Sequence, residues 1–411
     1  FKQKTAYEIR LSLVGSEMCI RDRGGSAHLE GASRDNRFTY IIGARQKTNS
    51  YLLNSLDTKG DYKPLFYDVQ AYVTYNPTDE WEHDVLFNFA KNKYSVTPQS
   101  RKSSFGTVNQ ALQLNVYFDG REIDQYQTVM GAYSTMYRPH GKDLTLKLIT
   151  SVFNTQESET FDLLGQYYLD ELENDFGNAN FGQSSYSLGT GGFLNHARNY
   201  LDATVYNIEH KGIKEWKDTG KQLWWGVKAQ HEAINDKLSE WTMVDSADYS
   251  IPNGVDSMGY VNPGSQPYEL LELNEFIKTK NSLSSNRYTA YIQHAWSRDT
   301  KDTNELTFTA GIRANYWDLN KQLLVSPRAT LSYKPNWAKD YVFKASSGYY
   351  YQPPFYREMR NMEGKINQNI KAQQSIHYVF TSDCNFRIWN RPFKFIAAGY
   401  FKQMDNLIPY E

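Results

Sequence analysis

The sequence predicts an all-β fold made of long antiparallel strands, and three observations support this prediction. The first is a regular alternation of apolar and polar residues, since successive side chains of a strand point to opposite faces. The second is an aromatic content of 15%, with 32 Tyr, in a chain of 411 residues. The third is that connections rich in turn-forming residues divide the alternating segments, while no amphipathic helical pattern interrupts them.

The clearest alternation lies in ELTFTAGIRANYW at 305–317. On an extended chain the apolar residues share one face and the polar residues share the other. The apolar set is Leu306, Phe308, Ala310 and Ile312, and the polar set includes Arg313 and Asn315. The same period recurs in LFYDVQAYVTYNP at 65–77. Because a usual strand has only about 5–6 residues, these segments predict unusually long strands with one apolar face.

About thirteen such segments follow one another along the chain. They lie near 36–46, 64–76, 81–91, 124–137, 143–155, 201–211, 221–245, 274–298, 303–317, 321–335, 340–352, 371–385 and 391–404. Short connections such as 76–80 and 138–143 tend to alternate with long polar loops, which are predicted at 156–200 and 246–270. The GTGG at 189–192 is predicted to be a turn within the first of these loops.

Long two-faced strands with short turns at one end and long loops at the other are typical of a transmembrane antiparallel β-barrel. A bilayer requires every backbone polar group to be paired, so only helices or a closed sheet can span it. The chain contains no apolar run of 18 residues, which excludes a membrane-spanning helix. Aromatic residues near strand ends are then expected to form interfacial belts. They are Trp81, Tyr137, Trp296, Trp317 and Trp337.

A large soluble β-sandwich or propeller is the alternative, because alternation is normal in those folds as well. The formal net charge of −1 gives no reason to expect nucleic acid as a partner. The two cysteines, Cys19 and Cys384, provide no disulfide framework, and the eight His show no HxxH or HExxH spacing. We therefore expect no metal and no cofactor.

Residues 1–23, FKQKTAYEIRLSLVGSEMCIRDR, have the period of neither a strand nor a helix. Translated back into codons, the two halves of this stretch resemble the ends of a sequencing-library adapter, with its variable index between them. We interpret 1–23 as translated adapter and exclude it from fold reasoning. The natural chain is then expected to start near Gly24 and to occupy residues 24–411.

From about residue 35 onward the chain resembles the barrel of TonB-dependent outer-membrane receptors of the Bacteroidetes type. The resemblance rests on the order and spacing of several blocks. In the second half these are SPRATLSYKPN, FKASSGYYYQPPFYREMRN, INQNIKAQQSIHYVF and RPFKFIAAGYFKQMDNLIPYE. In the first half they are WEHDVLFNFAKNKYSVTPQS and VYFDGREIDQYQTVMGAYSTMYRP. No short catalytic motif underlies this resemblance, which implies a transporter and not an enzyme.

The resemblance implies active import of a scarce nutrient, such as a siderophore, vitamin, peptide or glycan, across the outer membrane of a Gram-negative bacterium. Barrels of this family have 22 strands and a lumen filled by an N-terminal plug domain. Since neither the plug nor its TonB box is found here, we interpret 24–411 as an incomplete barrel with about 13 of the 22 strands. The implied partners are the TonB complex through the missing plug, outer-membrane lipid and a small nutrient ligand.

Two other functions stay open at this point. A passive outer-membrane diffusion porin is also a barrel, but it has no plug. An outer-membrane lipase or protease would need a Ser/His or Asp/His constellation at one rim, and none stands out in the sequence.

Two sets of candidate functional residues follow from the predicted barrel. YYYQPPFYR at 349–357 places aromatic residues beside a rigid Pro-Pro, where they could form a ligand platform or an interfacial belt that ends a strand. The candidate ligand-binding residues are Tyr350, Tyr351, Phe355, Tyr356 and Arg357. The candidate lumen-lining residues are Asp68, Gln70, Lys147, Lys228, Arg313 and Lys344. In a complete receptor the second set would face the plug or the translocation path.

Overall fold

The computed structural model describes residues 24–48, 50, 60–107, 109–245, 271–299 and 304–408. Residues 1–23 and the predicted loop 246–270 lie outside this set. The described residues form sixteen β-strands and two single-turn 3₁₀ helices, Lys217–Thr219 and Arg357–Met359. No helix among them is long and apolar enough to cross a membrane.

The first eight strands are β1 (Gly24–Ala32), β2 (Phe38–Lys47), β3 (Gly60–Tyr62), β4 (Leu65–Tyr75), β5 (Trp81–Pro98), β6 (Arg101–Thr107), β7 (Gln110–Tyr137) and β8 (Leu144–Leu172). The second eight are β9 (Ser184–Trp216), β10 (Lys221–Asp245), β11 (Leu271–Asp299), β12 (Glu305–Trp317), β13 (Gln322–Lys334), β14 (Asp340–Gln352), β15 (Gln373–Ile388) and β16 (Arg391–Asp405).

All sixteen strands belong to one antiparallel sheet. Its main path runs in sequence order from β1 to β16 and omits only β3 and β6, which pair with the ends of β5 and β7. This order confirms the predicted all-β antiparallel fold. A sandwich of two stacked sheets is excluded for the described residues, because every strand in them joins the same sheet.

The sheet is open. Among the described residues β1 pairs only with β2, and β16 pairs only with β15. The first strand predicted from the sequence, 36–46, would be the first edge of the open sheet, and this is wrong, because Gly24–Ala32 adds a further strand outside it. That strand, GGSAHLEGA, is rich in Gly and Ala. These residues have low β-propensity, so the sequence pattern does not reveal the strand.

The strand number and one loop also differ from prediction. Sixteen strands replace the predicted thirteen, since β1, β3 and β6 are additional. The predicted loop 156–200 is mostly strand: β8 continues to Leu172 and β9 begins at Ser184. GTGG at 189–192 therefore lies inside β9 and is not a turn. Adjacent apolar residues, such as Leu163 with Leu164 and Tyr167 with Tyr168, break the period-two alternation here. The strands are formed by backbone pairing between β8 and β9, which continues to Leu172 and Ser184.

Cross-strand register sorts the side chains into two faces, because paired residues of adjacent strands point to the same side. One face carries large apolar side chains that stay exposed. A single row on this face joins Val85, Tyr133, Thr150, Ile208, Ala229, Tyr288, Tyr316 and Leu323 on eight adjacent strands. Of these, Ile208 is 50% exposed and Leu323 is 64% exposed. We call the side that carries this row the apolar face, and the opposite side the polar face.

The segment 305–317 follows the predicted alternation in β12. Phe308 and Ile312 are exposed on the apolar face, and Arg313 and Asn315 lie on the polar face. Phe308 is therefore not in a closed core, as it would be in a soluble sandwich.

Candidate functional site

The apolar face carries an aromatic belt at the end of the sheet where the short turns lie. Trp81 and Tyr137 pair in register, with ring centroids 4.6 Å apart. Trp296 pairs with Phe308 at 5.6 Å. Trp337, in the turn between β13 and β14, is 58% exposed. Four of the five predicted belt residues are therefore at this end of the strands.

The fifth predicted belt residue, Trp317, is in a different environment. It lies on the polar face at the opposite end of β12 and is 3% exposed. Its indole Nε1 donates a hydrogen bond to Ser285 Oγ at 3.1 Å, and the guanidinium of Arg287 lies 3.8 Å from its ring centroid. Trp317 is a buried packing residue, since both its ring face and its N–H are engaged within the protein.

The apolar face becomes polar at a defined height along the strands. One row still carries Phe89 and Val129, the latter paired with Asn154. The next row away from the aromatic belt is polar on six adjacent strands. It consists of Lys91, Gln127, Gln156, Asp202, Asn235 and Ser282. The apolar zone is therefore bounded by the aromatic belt on one side and, on β5 and β7, by this polar row on the other. On β8 and β11 it ends nearer the belt, at Asn154 and Asn286.

The polar face is held together by buried hydrogen bonds. Asp84, 5% exposed, accepts hydrogen bonds from Ser134 Oγ and Thr74 Oγ1, both at 2.9 Å. Lys147 Nζ lies 3.6 Å from the same carboxylate. These contacts join β4, β5, β7 and β8 across the sheet, so this side of the sheet is a polar network.

The register places all six candidate lumen-lining residues on the polar face. Three of them have charged partners. Asp68 accepts from Arg45 Nε at 2.8 Å, and Lys344 Nζ lies 3.6 Å from Asp383. The third is Lys147, already described beside Asp84. The other three members are Gln70, Lys228 and Arg313. That these residues line a lumen stays a prediction.

The connection between β14 and β15, residues 353–372, folds back over the polar face. Tyr356 Oη donates a hydrogen bond to Asp236 Oδ2 on β10 at 2.8 Å, and Arg360 Nη1 lies 3.6 Å from the same carboxylate oxygen. Burial, together with the hydrogen bond to Asp236, raises the pKa of the Tyr356 phenol well above its usual range. Met359 is 1% exposed. We call residues 353–372 the crossing segment.

The crossing segment is also fixed through its backbone. Thr279 Oγ1 donates to the carbonyl oxygen of Glu363 at 2.7 Å, and Asn281 Nδ2 donates to that of Gly364 at 2.8 Å. Both donors are on β11, three strands away from β14 in the sheet. The segment is therefore anchored to the polar face by side chains from distant strands.

The five candidate ligand-binding residues do not form one platform. Tyr350 and Tyr351 are successive residues of β14, so they point to opposite faces. The Tyr350 ring stacks on His377 with centroids 4.4 Å apart, and Phe355 is 61% exposed. Arg357 forms an ion pair with Glu157 on β8. Tyr356 and Arg357 thus anchor the crossing segment.

Sequence reasoning missed an acidic cluster on the polar face. Carboxylate oxygens of Glu122, Asp124 and Glu159 all lie within 4.8 Å of one another. Asp124 and Glu159 are direct cross-strand partners, and Glu122 lies two residues from Asp124 on the same face. Burial raises the pKa of both Glu122 and Asp124, and the charge of Glu159 raises both further, while a hydrogen bond with Glu122 lowers that of Asp124.

Such oxygen ligands are of the kind that Ca²⁺ prefers. The pair at 122 and 124 is visible in the sequence as an i, i+2 repeat. Its third member is not, because it depends on the register between β7 and β8.

Comparison of the chain with protein-family models, and with curated proteins, finds no match.

Proposed function

We propose that this chain is a transmembrane β-sheet from the barrel of an outer-membrane transporter, of the kind that imports a scarce nutrient with energy relayed by TonB. The observation that carries the proposal is the bounded zone of exposed apolar side chains on one face of a single antiparallel sheet. Exposure of such a surface to water costs a free energy of about 25 cal/mol per Å² of apolar area. In a bilayer the same surface faces hydrocarbon. The backbone N–H and C=O groups of the interior strands are already hydrogen-bonded to neighbouring strands, so they need no water.

The height of the apolar zone supports the membrane assignment. On β5 the zone extends from Trp81 to the polar row at Lys91. Ten residue steps span about 33 Å along a strand, or about 25 Å perpendicular to the membrane at a tilt of about 40°. The apolar band of outer-membrane barrels is about 25 Å tall. The remainder of β7, β8 and β9 would then project beyond the membrane on the side of the long connections.

Transport, as opposed to catalysis, is supported by the character of the polar face. It presents charged and amide groups over many adjacent strands, as expected of a surface that faces a plug domain or a solute path. Under this proposal, Asp68, Gln70, Lys147, Lys228, Arg313 and Lys344 contact the plug or the solute. The nutrient would be a siderophore, a vitamin, a peptide or a glycan.

A passive diffusion porin is the second candidate, and the crossing segment is the observation that favours it. Residues 353–372 fold over the polar face, as a loop that narrows an open pore would do. In a porin, however, the sheet closes on itself. Among the described residues β1 and β16 each pair with one neighbour only, which does not favour closure at sixteen strands.

Lipid-dependent quenching tests the membrane assignment. Single cysteines are introduced as Ile312→Cys and Arg313→Cys, with Cys19 and Cys384 replaced by Ser, and each is labelled with a small fluorophore in outer-membrane vesicles. Brominated acyl chains should quench the label at 312, which is on the apolar face, and leave the label at 313 bright. Equal quenching at both positions would rule out a two-faced membrane strand.

Uptake by whole cells separates the importer from the porin. Labelled ferric siderophore, cobalamin, oligopeptide and oligosaccharide are offered to a Gram-negative host that produces the complete gene product. An importer accumulates one of these compounds, and a protonophore abolishes that accumulation. Entry that continues in the presence of the protonophore identifies a passive pore.

A further inference from the structure

A pocket opens on the apolar face just beyond the height at which that face becomes polar. Its volume is about 460 Å³. Its side chains lie in two successive cross-strand rows on this face. One row contains Asn235 of β10 and the other contains Lys237. The side chains that matter for its chemistry are Lys91, Gln127, Gln156, Tyr200, Lys237 and Lys280. With Gln125 and Asn235, three ammonium groups and four side-chain amides therefore surround one cavity.

The positive charge of this pocket is only partly neutralised from within the described part of the chain, since three lysines and one carboxylate, Asp202, line its side of the sheet. None of Lys91, Lys237 and Lys280 forms an ion pair with a described carboxylate. Asp202, the acidic side chain on this side of the pocket, accepts hydrogen bonds from Asn154 Nδ2 at 2.9 Å and Gln156 Nε2 at 3.3 Å. Asp202 forms no ion pair with the three lysines and offsets only one of their three positive charges, which leaves a net positive charge for an external anion.

Two other residues that line the pocket, Glu157 and Asp236, have their carboxylates on the polar face of the sheet. Glu157 pairs with Arg357, and Asp236 binds Tyr356 and Arg360 of the crossing segment. The sheet therefore presents basic groups on the pocket side and acidic groups on the polar face at the same height. This separation of charge does not come from an excess of basic residues in the chain, whose formal net charge is −1.

We propose that the pocket binds the phosphate group of a phosphorylated glycolipid of the outer leaflet, whose acyl chains lie along the apolar face below it. The proposal rests on the membrane assignment made above. Continuity on β5 and β7 supports it, because Lys91 and Gln127 directly follow Phe89 and Val129 on the apolar face. The pocket lies on the side of the long connections, which faces the cell exterior in outer-membrane barrels.

Charge and aromatic chemistry support the same occupant. Basic side chains just outside the hydrocarbon zone attract anionic headgroups. Tyr200, 46% exposed, lies beside Lys237 with the ammonium 5.8 Å from its ring centroid. An aromatic ring with a polar tip suits the interface between acyl chains and headgroups.

Binding of defined glycolipids to the purified full chain tests the proposal. The protein in zwitterionic micelles is titrated with lipid A that carries its phosphates, with the same lipid after dephosphorylation, and with inorganic phosphate. The triple variant Lys91→Gln, Lys237→Gln and Lys280→Gln is compared with the control triple Lys102→Gln, Lys142→Gln and Lys339→Gln. Both triples remove three charges from exposed or half-exposed positions, but only the first set lines the pocket.

The phosphorylated lipid should bind the wild type and the control triple equally well. Binding to the pocket triple should be weaker by about 100-fold, since each lysine near an anionic surface contributes about fivefold. The dephosphorylated lipid and inorganic phosphate should bind at least about tenfold more weakly, because each lacks one half of the contact. Equal affinity of the two triples, or inorganic phosphate binding as tightly as the lipid, would overturn the proposal.

The quenching experiment separates this outcome from failure of the membrane assignment. If the label at 312 is quenched by brominated chains while the pocket triple retains the lipid, the protein is in the membrane and only the headgroup site is wrong. If the label at 312 is not quenched, the membrane assignment itself fails.

Discussion

The phenolic oxygen of Tyr356 lies 2.8 Å from a carboxylate oxygen of Asp236, which is 120 residues earlier in the chain and four strands away in the sheet. This hydrogen bond, with Arg360 beside it, holds the crossing segment against the polar face. Asp236 is 4% exposed. Its charge is thus compensated chiefly by these two side chains.

Removal of the phenol should release the crossing segment. Tyr356→Phe leaves a buried carboxylate with one partner fewer, at a cost of about 1–3 kcal/mol. This loss lowers the free energy needed to detach the crossing segment from the sheet. Trypsin should therefore cleave after Arg357 and Arg360 about 5- to 100-fold faster than in the wild type. Tyr349→Phe, on the apolar face of β14, is the matched control and should leave the rate unchanged. Identical cleavage rates in the two variants would show that the Tyr356 contact does not anchor the segment.

The acidic cluster should make stability depend on pH. Since burial raises the folded-state pKa of Glu122, the folded protein binds its proton more tightly than the unfolded chain does. This contribution to stability is present below the unfolded-state pKa of about 4.3 and is lost as pH rises through the raised folded value. Glu122→Gln should therefore increase the free energy of unfolding at pH 7.5 and have little effect at pH 4.

Urea unfolding in detergent micelles at the two pH values measures this effect. Asp79→Asn, in the exposed turn before β5, is the control for removal of one negative charge. A stabilisation by Glu122→Gln that is as large at pH 4 as at pH 7.5 would argue against the proton linkage.

The two faces of β12 should respond differently to a new charge. Under the membrane assignment Ile312→Lys places an ammonium in the hydrocarbon, at a cost of about 2–4 kcal/mol near the midplane. Thr309→Lys places the same group on the polar face, where the cost should be below about 1 kcal/mol. Unfolding by guanidinium in lipid vesicles gives both values, and a cost at 309 equal to that at 312 would contradict the assignment.

Trp317 should stabilise the fold although the sequence pattern assigns it to the aromatic belt. Trp317→Leu removes its hydrogen bond to Ser285 and its contact with Arg287, and it leaves a cavity, at a cost of about 3 kcal/mol. Trp389, 86% exposed in the turn between β15 and β16, is the comparison, and Trp389→Leu should change stability by less than about 0.5 kcal/mol. Equal losses of stability in the two variants would show that the buried Trp317 stabilises the fold no more than an exposed tryptophan does.

The extended strands and their two faces follow from the sequence because period-two alternation is a local property. Within 305–317 the identity of each residue sets the face on which it must lie once the chain is extended. The same reasoning fails for β1 and for the far ends of β8 and β9. β1 is rich in Gly and Ala, and adjacent apolar residues such as Leu163 and Leu164 break the alternation at the far end of β8, so the pairing of backbone groups with a neighbouring strand decides their structure.

By itself the sequence determined the strand segments, the apolar surface and four of the five aromatic belt residues, because those depend on side chains adjacent along the chain. Only the tertiary structure decided that Tyr356 and Arg357 bind carboxylates on β10 and β8, that Glu159 joins Glu122 and Asp124, and that Lys91, Lys237 and Lys280 surround one pocket. These groupings depend on strand register and on the path of the crossing segment. Register brings together residues more than a hundred positions apart, and a single sequence contains no local signal for such distances.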